Sequence, residues 1–230
     1  MCGRYTQTKP PGEIKRQLAF IGDEALLQPR YNIAPAQAAP VILASRELTL
    51  MRWGLVPFWA KEAQIGNRMI NARAETVQDK PAFKRLLGHR RCLVPADGFY
   101  EWQGAGRARQ PFRFRLKSDA PFAFAGLWDQ WHAPEGHALN TFTILTTTAN
   151  EVVRPVHDRM PVMLGPDGCE QWLAPSAQPS ESLLRLLTPF PPDLMMCYPV
   201  SPLVNSPKFD GPECIQPFQH PDAPLELDLQ

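Results

Sequence analysis

The sequence predicts a single α+β domain with a mostly antiparallel, barrel-like β-sheet core and short helices packed around it. Three observations favour this class. Proline occupies 26 of the 230 positions, well above its usual share of ~5%, and proline interrupts helices and marks turns and strand edges. The helical stretches are short and do not alternate regularly with strands, which argues against a doubly wound sheet. Hydrophobic residues make up 44% and charged residues 20% of the chain, so it can bury a sizeable core.

The first half of the chain mixes short amphipathic stretches with strand-like runs. A Pro-Gly break precedes the first helical stretch, and proline occupies the first turn of the second, as is common at helix starts. Short apolar runs bounded by polar or Pro/Gly pairs predict the strands. In chain order, we predict a helix over 13–20, a hairpin of strands over 41–45 and 48–53 around Arg46-Glu47, a helix over 81–89, and two strands within 91–103 broken at 95–98.

The second half begins with a regular alternation over 111–117, which predicts a half-buried strand. Its predicted inner face carries Phe112, Phe114 and Leu116, and its predicted outer face carries Arg113, Arg115 and Lys117. Further strands are predicted over 120–128, 141–147, 161–165, 195–201 and 213–217, and helices over 168–174 and 180–187. We assign the domain to residues 1–217, with a hairpin tip over 104–110 and a loose tail over 218–230.

Charge, hydropathy and cysteine spacing exclude several classes of protein. With 24 Lys and Arg against 23 Asp and Glu, the net charge is +1, which excludes a generally polybasic protein but permits a local basic groove. No apolar run reaches the ~18 residues of a membrane span, and no signal peptide precedes the domain, so we expect a cytoplasmic protein. The five cysteines include no CxxC pair; we therefore expect no disulfide framework, no metal and no cofactor.

Cys2 offers the most distinctive chemistry in the chain. Initiator methionine is generally removed when the second residue is small, which would leave a cysteine with its amine and thiol on adjacent carbons. These groups titrate near ~7.7–8.0 and ~8.5, so both are partly reactive at neutral pH. Such a residue can attack an acyl carbon with its thiolate, or condense with an aldehyde to an imine that the thiol closes to a thiazolidine. Position 2 alone does not distinguish these roles from an ordinary small residue after Met1.

Other polar residues are candidates for a site. On a strand, Asn71, Arg73 and Glu75 would share one face, where the amide can donate and accept and the guanidinium can hold a phosphate. Glu101 lies among aromatic residues, and an apolar setting raises the pKa of a carboxyl group. His157 precedes a strand and suits proton transfer. Ordinary surface strands and a loop turn would explain each of these patterns equally well.

Aromatic residues at 53–59 surround a proline turn. Exposed aromatic rings beside arginines can stack on unpaired bases. We expect Trp53 to pack in the core and Trp59 to be exposed.

Six motifs occurring in this order resemble the SRAP family of SOS response-associated peptidases. They are MCGRY at the start, RYNIAP (30–35), WGLVPFW (53–59), INARAET (70–76), GFYEW (98–102) and VHDRMPV (156–162). The resemblance runs from Cys2 to about Pro217 and covers nearly the whole chain. It implies a single α+β domain with a β-barrel-like core, in agreement with the fold class above.

The resemblance also implies a function. Family members crosslink the ring-opened aldehyde of an abasic site in single-stranded DNA through a thiazolidine, in the DNA damage or SOS response. On this chain the implied catalytic residues are Cys2, Asn71, Glu101 and His157. The implied DNA-binding residues are Arg4, Arg73 and Arg159 on phosphates, Trp59 and Phe58 on a base, and Arg30, Asn32 and Pro35 in the groove wall. Phe58 stands where the family often has Trp, and Phe can still stack.

Two alternatives stay open from the sequence. One is a peptidase or amidohydrolase with Cys2 as an N-terminal nucleophile. The other is a protein that binds single-stranded DNA without covalent chemistry. In the leading interpretation we expect a monomer that associates with the nucleoid when on DNA and that can also act as a lyase and an (auto)peptidase.

Overall fold

The computed structural model describes residues 2–104, 106, 109–175 and 181–218. Its strands are β1 (Tyr5–Gln7), β2 (Arg30–Ile33), β3 (Ala38–Leu43), β4 (Leu48–Trp53), β5 (Asn71–Arg73), β6 (Arg91–Ala96), β7 (Gly98–Gln103), β8 (Gln110–Leu116), β9 (Phe122–His132), β10 (Ala138–Thr148), β11 (Arg159–Pro161), β12 (Met163–Leu164) and β13 (Met195–Pro199). Its helices are α1 (Pro11–Leu18), α2 (Pro81–His89), α3 (Pro166–Leu173) and α4 (Glu181–Arg185). Helices α1, α2 and α3 each begin with proline, where no helical amide bond is lost.

Five strands close into a barrel. Strand β10 pairs with β4, and the order continues through β3, β6 and β9 back to β10. All of these pairings are antiparallel except β4 with β10. The short strands β5, β11 and β12 extend this sheet outside the ring. Closure removes the exposed strand edges that an open sheet would present, and it confirms the predicted barrel-like, mostly antiparallel core.

A second sheet of five strands, in the order β13-β8-β7-β1-β2, packs against the barrel. Aromatic rings join the two layers: Tyr5 of this sheet meets Trp53 of the barrel at 5.3 Å between ring centroids, and Phe99 meets Phe124 at 6.2 Å. Cys2 lies in the same apolar cluster, which holds the second residue of the chain between the layers. A separate cluster lies beneath α1, α2 and α3 on the far side of the barrel.

A buried carboxylate fastens β1 to the start of β7. The Asp97 carboxylate accepts hydrogen bonds from Thr6 Oγ1 and, at 2.5 Å each, from the backbone nitrogen and Oγ1 of Thr8. Arg113 Nη2 donates to Asp97 Oδ1 at 3.1 Å, and the two side chains are 4% and 1% exposed. Strand β1, which begins three residues after Cys2, is therefore held in register by a paired buried charge.

We expect Asp97→Ala to destabilise the protein by about 3–5 kcal/mol, because it leaves the Arg113 guanidinium buried without its carboxylate. Urea unfolding measures the free energy. Asp119→Ala is the control, because Asp119 pairs with Lys9 and Arg115 at the surface and its loss should cost about 1 kcal/mol or less. Equal losses in the two variants would contradict a dominant role for the buried pair.

The prediction that Arg113 lies on the outer face of β8 is wrong, because its side chain is buried. Residues beyond β13 cover that side of the sheet, and Val200 and Val204 pack with Tyr100 there. The Arg113 guanidinium also donates to Tyr198 Oη at 2.9 Å. The second sheet is consequently buried on both faces near its centre.

Two further local predictions are wrong. The predicted strand over 213–217 is instead a 3₁₀ helix over Pro212–Ile215, which begins with a proline as helices often do, and only Pro217 forms an isolated bridge, with Val200. The predicted alternation over 70–76 ends at Arg73, and Ala74–Thr76 forms a 3₁₀ turn. The hairpin tip lies partly, and the tail beyond Phe218 wholly, outside the described residues. In the described part, no helix has the length and apolarity needed to span a membrane.

Candidate active site around Cys2

Strand pairing brings Glu101 to Cys2. Strands β1 and β7 are antiparallel, with Tyr5 opposite Phe99, and the backbone nitrogen of Tyr100 donates to Arg4 O at 3.0 Å. Continuing this register toward the start of the chain places Glu101 beside the residues that precede Arg4. Phe99 and Glu101 alternate on β7, so both side chains face the barrel, and Glu101 is only 2% exposed.

Cys2 is fully buried. Its carbonyl oxygen accepts a hydrogen bond of 2.8 Å from Asn71 Nδ2, and its thiol lies 3.9 Å from Arg4 O. Burial raises the pKa of the Cys2 thiol, and the negative charge of Glu101 raises it further. The thiol is therefore protonated at neutral pH, which makes it a weak nucleophile in this closed arrangement.

Asn71 reaches Cys2 from the barrel side. It begins β5, which runs parallel to β10 with Asn71 opposite Ile144. Its Nδ2 is used by Cys2, whereas its buried Oδ1 has no hydrogen-bond partner among the described residues. A buried acceptor without a partner is uncommon, and this one is available to a group that approaches Cys2.

Glu101 is poised for proton transfer near neutral pH. Burial raises the pKa of its carboxyl group to about 7. At that pKa, both protonation states are well populated under physiological conditions, as a general acid or base requires.

The raised pKa of Glu101 also predicts how stability varies with pH. The folded carboxyl binds a proton more tightly than the unfolded one, whose pKa is 4.5, so the free energy of unfolding falls as pH rises between these values. Glu101→Gln removes this dependence. We expect the stability of the variant relative to the natural protein to rise by about 1–3 kcal/mol between about pH 5 and about pH 8.

Urea unfolding at the two pH values tests this expectation. Glu151→Gln is the control, since Glu151 is an exposed carboxylate on the turn before β11. Identical pH dependence in Glu101→Gln and in the natural protein would contradict the raised pKa.

His157 lies in the turn that leads into β11. Its Nδ1 accepts a hydrogen bond of 2.9 Å from the backbone nitrogen of Arg159, which favours the neutral tautomer with the proton on Nε2. Burial lowers the pKa of the imidazole, so His157 is neutral at pH 7. Asp158 Oδ1 lies 3.0 Å from the same Nδ1 and would stabilise the imidazolium once a proton is taken up.

The three arginines predicted to hold phosphates differ in their partners. Arg159 forms a two-pronged ion pair with Glu75, at 2.6 and 2.9 Å, and this hydrogen bonding lowers the pKa of the Glu75 carboxyl. Arg73 is exposed at the end of β5. Arg4 donates at 2.6 Å to Val204 O and at 3.4 Å to Asn205 O. Arg73 and Arg4 thus have no carboxylate partner among the described residues.

The predicted groove-wall residues hold the C-terminal segment. Asn32 is fully buried, and its Nδ2 donates to three carbonyl oxygens, those of Val204, Ser206 and Phe209. Arg30 pairs with Asp210 and donates to Gln37 Oε1 at 2.7 Å. Pro35 is half-buried. Asn32 therefore lies beneath the surface and fixes the C-terminal segment, a position that the motif alone does not reveal.

The aromatic residues at 58 and 59 protrude. Phe58 and Trp59 are 55% and 50% exposed, and the Arg85 guanidinium lies 4.2 Å from the centre of the Phe58 ring. The loop is fixed by Phe58 N, which donates to buried Asp129 at 3.0 Å. Trp53 is fully buried and donates to Ile70 O, as predicted for a core residue.

A cysteine at the second position lies buried between a closed barrel and a second sheet, with a carboxyl, an amide and an imidazole on the surrounding elements. This arrangement defines a protein with a candidate N-terminal cysteine site. The family profile described as SOS response associated peptidase (SRAP) matches residues 1–207. The chain belongs to this family.

Similar proteins cover nearly all of the chain. "Abasic site processing protein YoqW" of Bacillus subtilis (strain 168) is 44% identical over 223 residues, which are 94% of this chain and 99% of that protein. "Abasic site processing protein HMCES" of Gallus gallus is 32% identical over 265 residues, covering 95% and 78%. A crystal structure of a protein from Bacteroides thetaiotaomicron has a TM-score of 0.85 at 29% identity, covering 95% and 100%. The predicted family and fold are confirmed.

The described residues contain no group of three or more His, Cys, Asp or Glu side chains that could hold a metal ion. All five cysteines are free thiols.

Proposed function

We propose that this chain is an abasic-site processing protein that captures the lesion in single-stranded DNA as a thiazolidine on Cys2, after Met1 has been removed. The observation that carries the proposal is a carboxyl group with a pKa near 7, Glu101, buried beside Cys2. Membership of the SRAP family and relatives named abasic site processing proteins support it. We further propose that the protein acts in the cytoplasm, as a monomer, on damaged nucleoid DNA.

The first step joins the amine to the sugar. An abasic sugar exists as a closed hemiacetal in equilibrium with an open aldehyde, and opening requires a proton on the ring oxygen. In our proposal the neutral imidazole of His157 takes up the proton of the anomeric hydroxyl and passes it to the ring oxygen. The Cys2 amine then attacks the aldehyde carbon, and the Glu101 carboxylate carries the two amine protons, one after the other, to the departing oxygen. One water leaves, and a C=N double bond remains.

The second step closes the ring. The Cys2 sulfur adds to the imine carbon, forming a C–S bond, while the thiol proton moves to nitrogen. The overall reaction joins one amine, one thiol and one aldehyde and releases one water, with no change in oxidation state. The step requires no metal or redox cofactor. The burial of Cys2 excludes water from the adduct and would slow its hydrolysis.

This order of events fits the electrostatics better than a peptidase mechanism does. A peptidase would begin with thiolate attack on an acyl carbon, but burial raises the pKa of the Cys2 thiol. Imine formation begins with the amine and needs the thiol only afterwards. We therefore place hydrolase activity second, despite the peptidase name of the family.

A lyase activity follows when ring closure fails. An imine acidifies the adjacent sugar carbon and permits β-elimination of the neighbouring phosphate. We expect Cys2→Ser to form an imine that borohydride traps and that allows strand cleavage, measured on a denaturing gel of end-labelled DNA. Glu151→Gln is the control, because this variant retains Cys2 and should form the same adduct as the natural protein. A Cys2→Ser protein that forms neither a trapped adduct nor a cleaved strand would contradict imine chemistry.

A denaturing gel tests the proposed function. The protein lacking Met1 is mixed with single-stranded DNA that carries one abasic site, and with the same DNA intact. We expect a heat-stable shifted band only with the lesion. No band with the lesion, with loss of Met1 verified by mass spectrometry, would overturn the proposal, and amide substrates would then be tested.

A further inference from the structure

Asn150 is a buried amide that lies outside the motifs of the sequence. It follows strand β10, at the start of the turn over 150–157 that leads to β11, and it is 6% exposed. Both polar atoms of its side chain are hydrogen-bonded. Nδ2 donates to Phe190 O at 2.8 Å, and Oδ1 accepts from the backbone nitrogens of Val152 and Val153 at 3.2 and 3.1 Å. A buried polar residue whose hydrogen bonds are all made fixes the segments that it joins.

The two bonds to Oδ1 make Asn150 the cap of a short helical turn. An asparagine at such a position accepts from the second and third amides that follow it, which have no carbonyl partner within the turn. Arg154 N donates to Asn150 O at 2.9 Å, and His157 N donates to Val153 O at 3.0 Å. Two successive hydrogen bonds, one on each side of the Val153 residue, therefore connect the Asn150 side chain to the backbone of His157.

Apolar contacts also hold this turn, but they do not fix its orientation. Val153 is fully buried in the apolar cluster that contains Cys2, and Val152 and Val156 pack against that cluster. Hydrophobic contacts have no preferred direction, whereas hydrogen bonds weaken steeply as their angles depart from linearity. The cap on Asn150 is thus the contact that sets the angle of the turn over the barrel.

His157 needs a fixed position because its imidazole has to serve two oxygens of one sugar. In the proposed ring opening it takes the proton of the anomeric hydroxyl and delivers it to the ring oxygen. A shift of about 1 Å in a group of this kind can cost about 100-fold in rate. The backbone of the turn carries the imidazole, so any movement of the turn moves the imidazole too.

We propose that Asn150 is a positioning residue for His157, with its side-chain oxygen capping the turn that holds the imidazole at the abasic sugar. The inference rests on the proposed function and adds a residue that acts through His157 alone. Its influence is confined to the opening of the sugar ring, because the amine, the thiol and the Glu101 carboxyl belong to other elements of the fold.

The test compares Asn150→Ala with Asn150→Ser. Both variants lose the bond from Nδ2 to Phe190 O, but only serine keeps an oxygen that can cap the turn. The single-turnover rate of adduct formation is measured on single-stranded DNA with one abasic site, after circular dichroism has verified folding. We expect Asn150→Ala to slow the reaction about tenfold, less than the roughly 100-fold loss expected when an acid–base group is removed. Asn150→Ser should stay within about threefold of the natural protein, since serine and asparagine cap helices about equally well.

A second substrate separates positioning from a general loss of structure. It carries an open-chain aldehyde that lacks the hydroxyl needed to form a ring, so it reacts without ring opening. We expect Asn150→Ala and Asn150→Ser to react with this substrate at equal rates. In a His157→Ala protein, the further change Asn150→Ala should slow the reaction with abasic DNA by less than about twofold, because residues that act through one another are not additive.

Equal rates of Asn150→Ala and Asn150→Ser on abasic DNA would overturn the inference. A tenfold difference that persists on the open-chain aldehyde, or in the His157→Ala protein, would overturn it too. Asn150→Gly replaces Asn150→Ala if alanine prevents folding, because glycine lacks the oxygen but suits the backbone of a cap. If the natural protein forms no adduct, the proposed function fails, whereas a normal adduct with equal rates of the two variants refutes only the role of Asn150.

Discussion

Replacing Cys2 with alanine abolishes the covalent adduct with abasic DNA, because the variant has an amine but no sulfur to close the ring. Any adduct that Cys2→Ala forms should stop at the imine, which hydrolyses unless it is reduced. Denaturing gels with and without borohydride separate these outcomes. The expected loss of heat-stable adduct is complete, which makes this the largest effect predicted for a single side chain.

Cys197→Ala is the matched control for the loss of a thiol. Cys197 lies on β13 opposite Phe114, is half-buried and is a free thiol. Its replacement should leave adduct formation intact. A heat-stable, borohydride-independent adduct in Cys2→Ala, or its loss in Cys197→Ala, would contradict the assignment of Cys2 as the nucleophile.

Glu101→Gln should slow adduct formation about 100-fold at neutral pH, within the usual range for loss of a general acid or base. The glutamine amide fits the same space but cannot take up the amine proton. In the natural protein the rate should rise with pH through about 7 as the Glu101 carboxyl ionises. The rate of the variant should lack this rise and should depend on pH only through the titration of the Cys2 amine.

The measurement is the single-turnover rate of adduct formation across about pH 5.5 to about pH 9, with excess protein. Glu151→Gln controls for the loss of a negative charge near the His157 turn. If the rate of the Glu101→Gln variant still rises near pH 7, another group titrates there and Glu101 is not the base.

The barrel could be predicted from the sequence because its strands are short apolar runs bounded by turn-forming residues. The hairpin around Arg46 and the helix over Pro81–His89 depend on neighbouring residues alone. The failures arise where distant segments pack together. The outward position predicted for Arg113 ignores the C-terminal segment that covers it, and no local pattern shows where that segment returns.

The site could be predicted as a set of residues but not as an arrangement. The resemblance identified Cys2, Asn71 and Glu101, and the structure places them together. Their contact depends on pairing between β1 and β7 and on the position of β5, which alternation within one strand cannot specify. The ion pair of Arg159 with Glu75 and the burial of Asn32 likewise depend on tertiary packing.

The thiazolidine on Cys2 is tested by the mass of the purified adduct and of its Cys2-containing peptide. We expect a product whose mass equals that of the protein without Met1 plus the abasic DNA minus one water. The DNA remnant should be attached at Cys2, and the mass should not change after borohydride treatment. An increase of two hydrogens after borohydride would show an imine instead of a thiazolidine. A DNA remnant on any other residue would show that Cys2 is not the nucleophile.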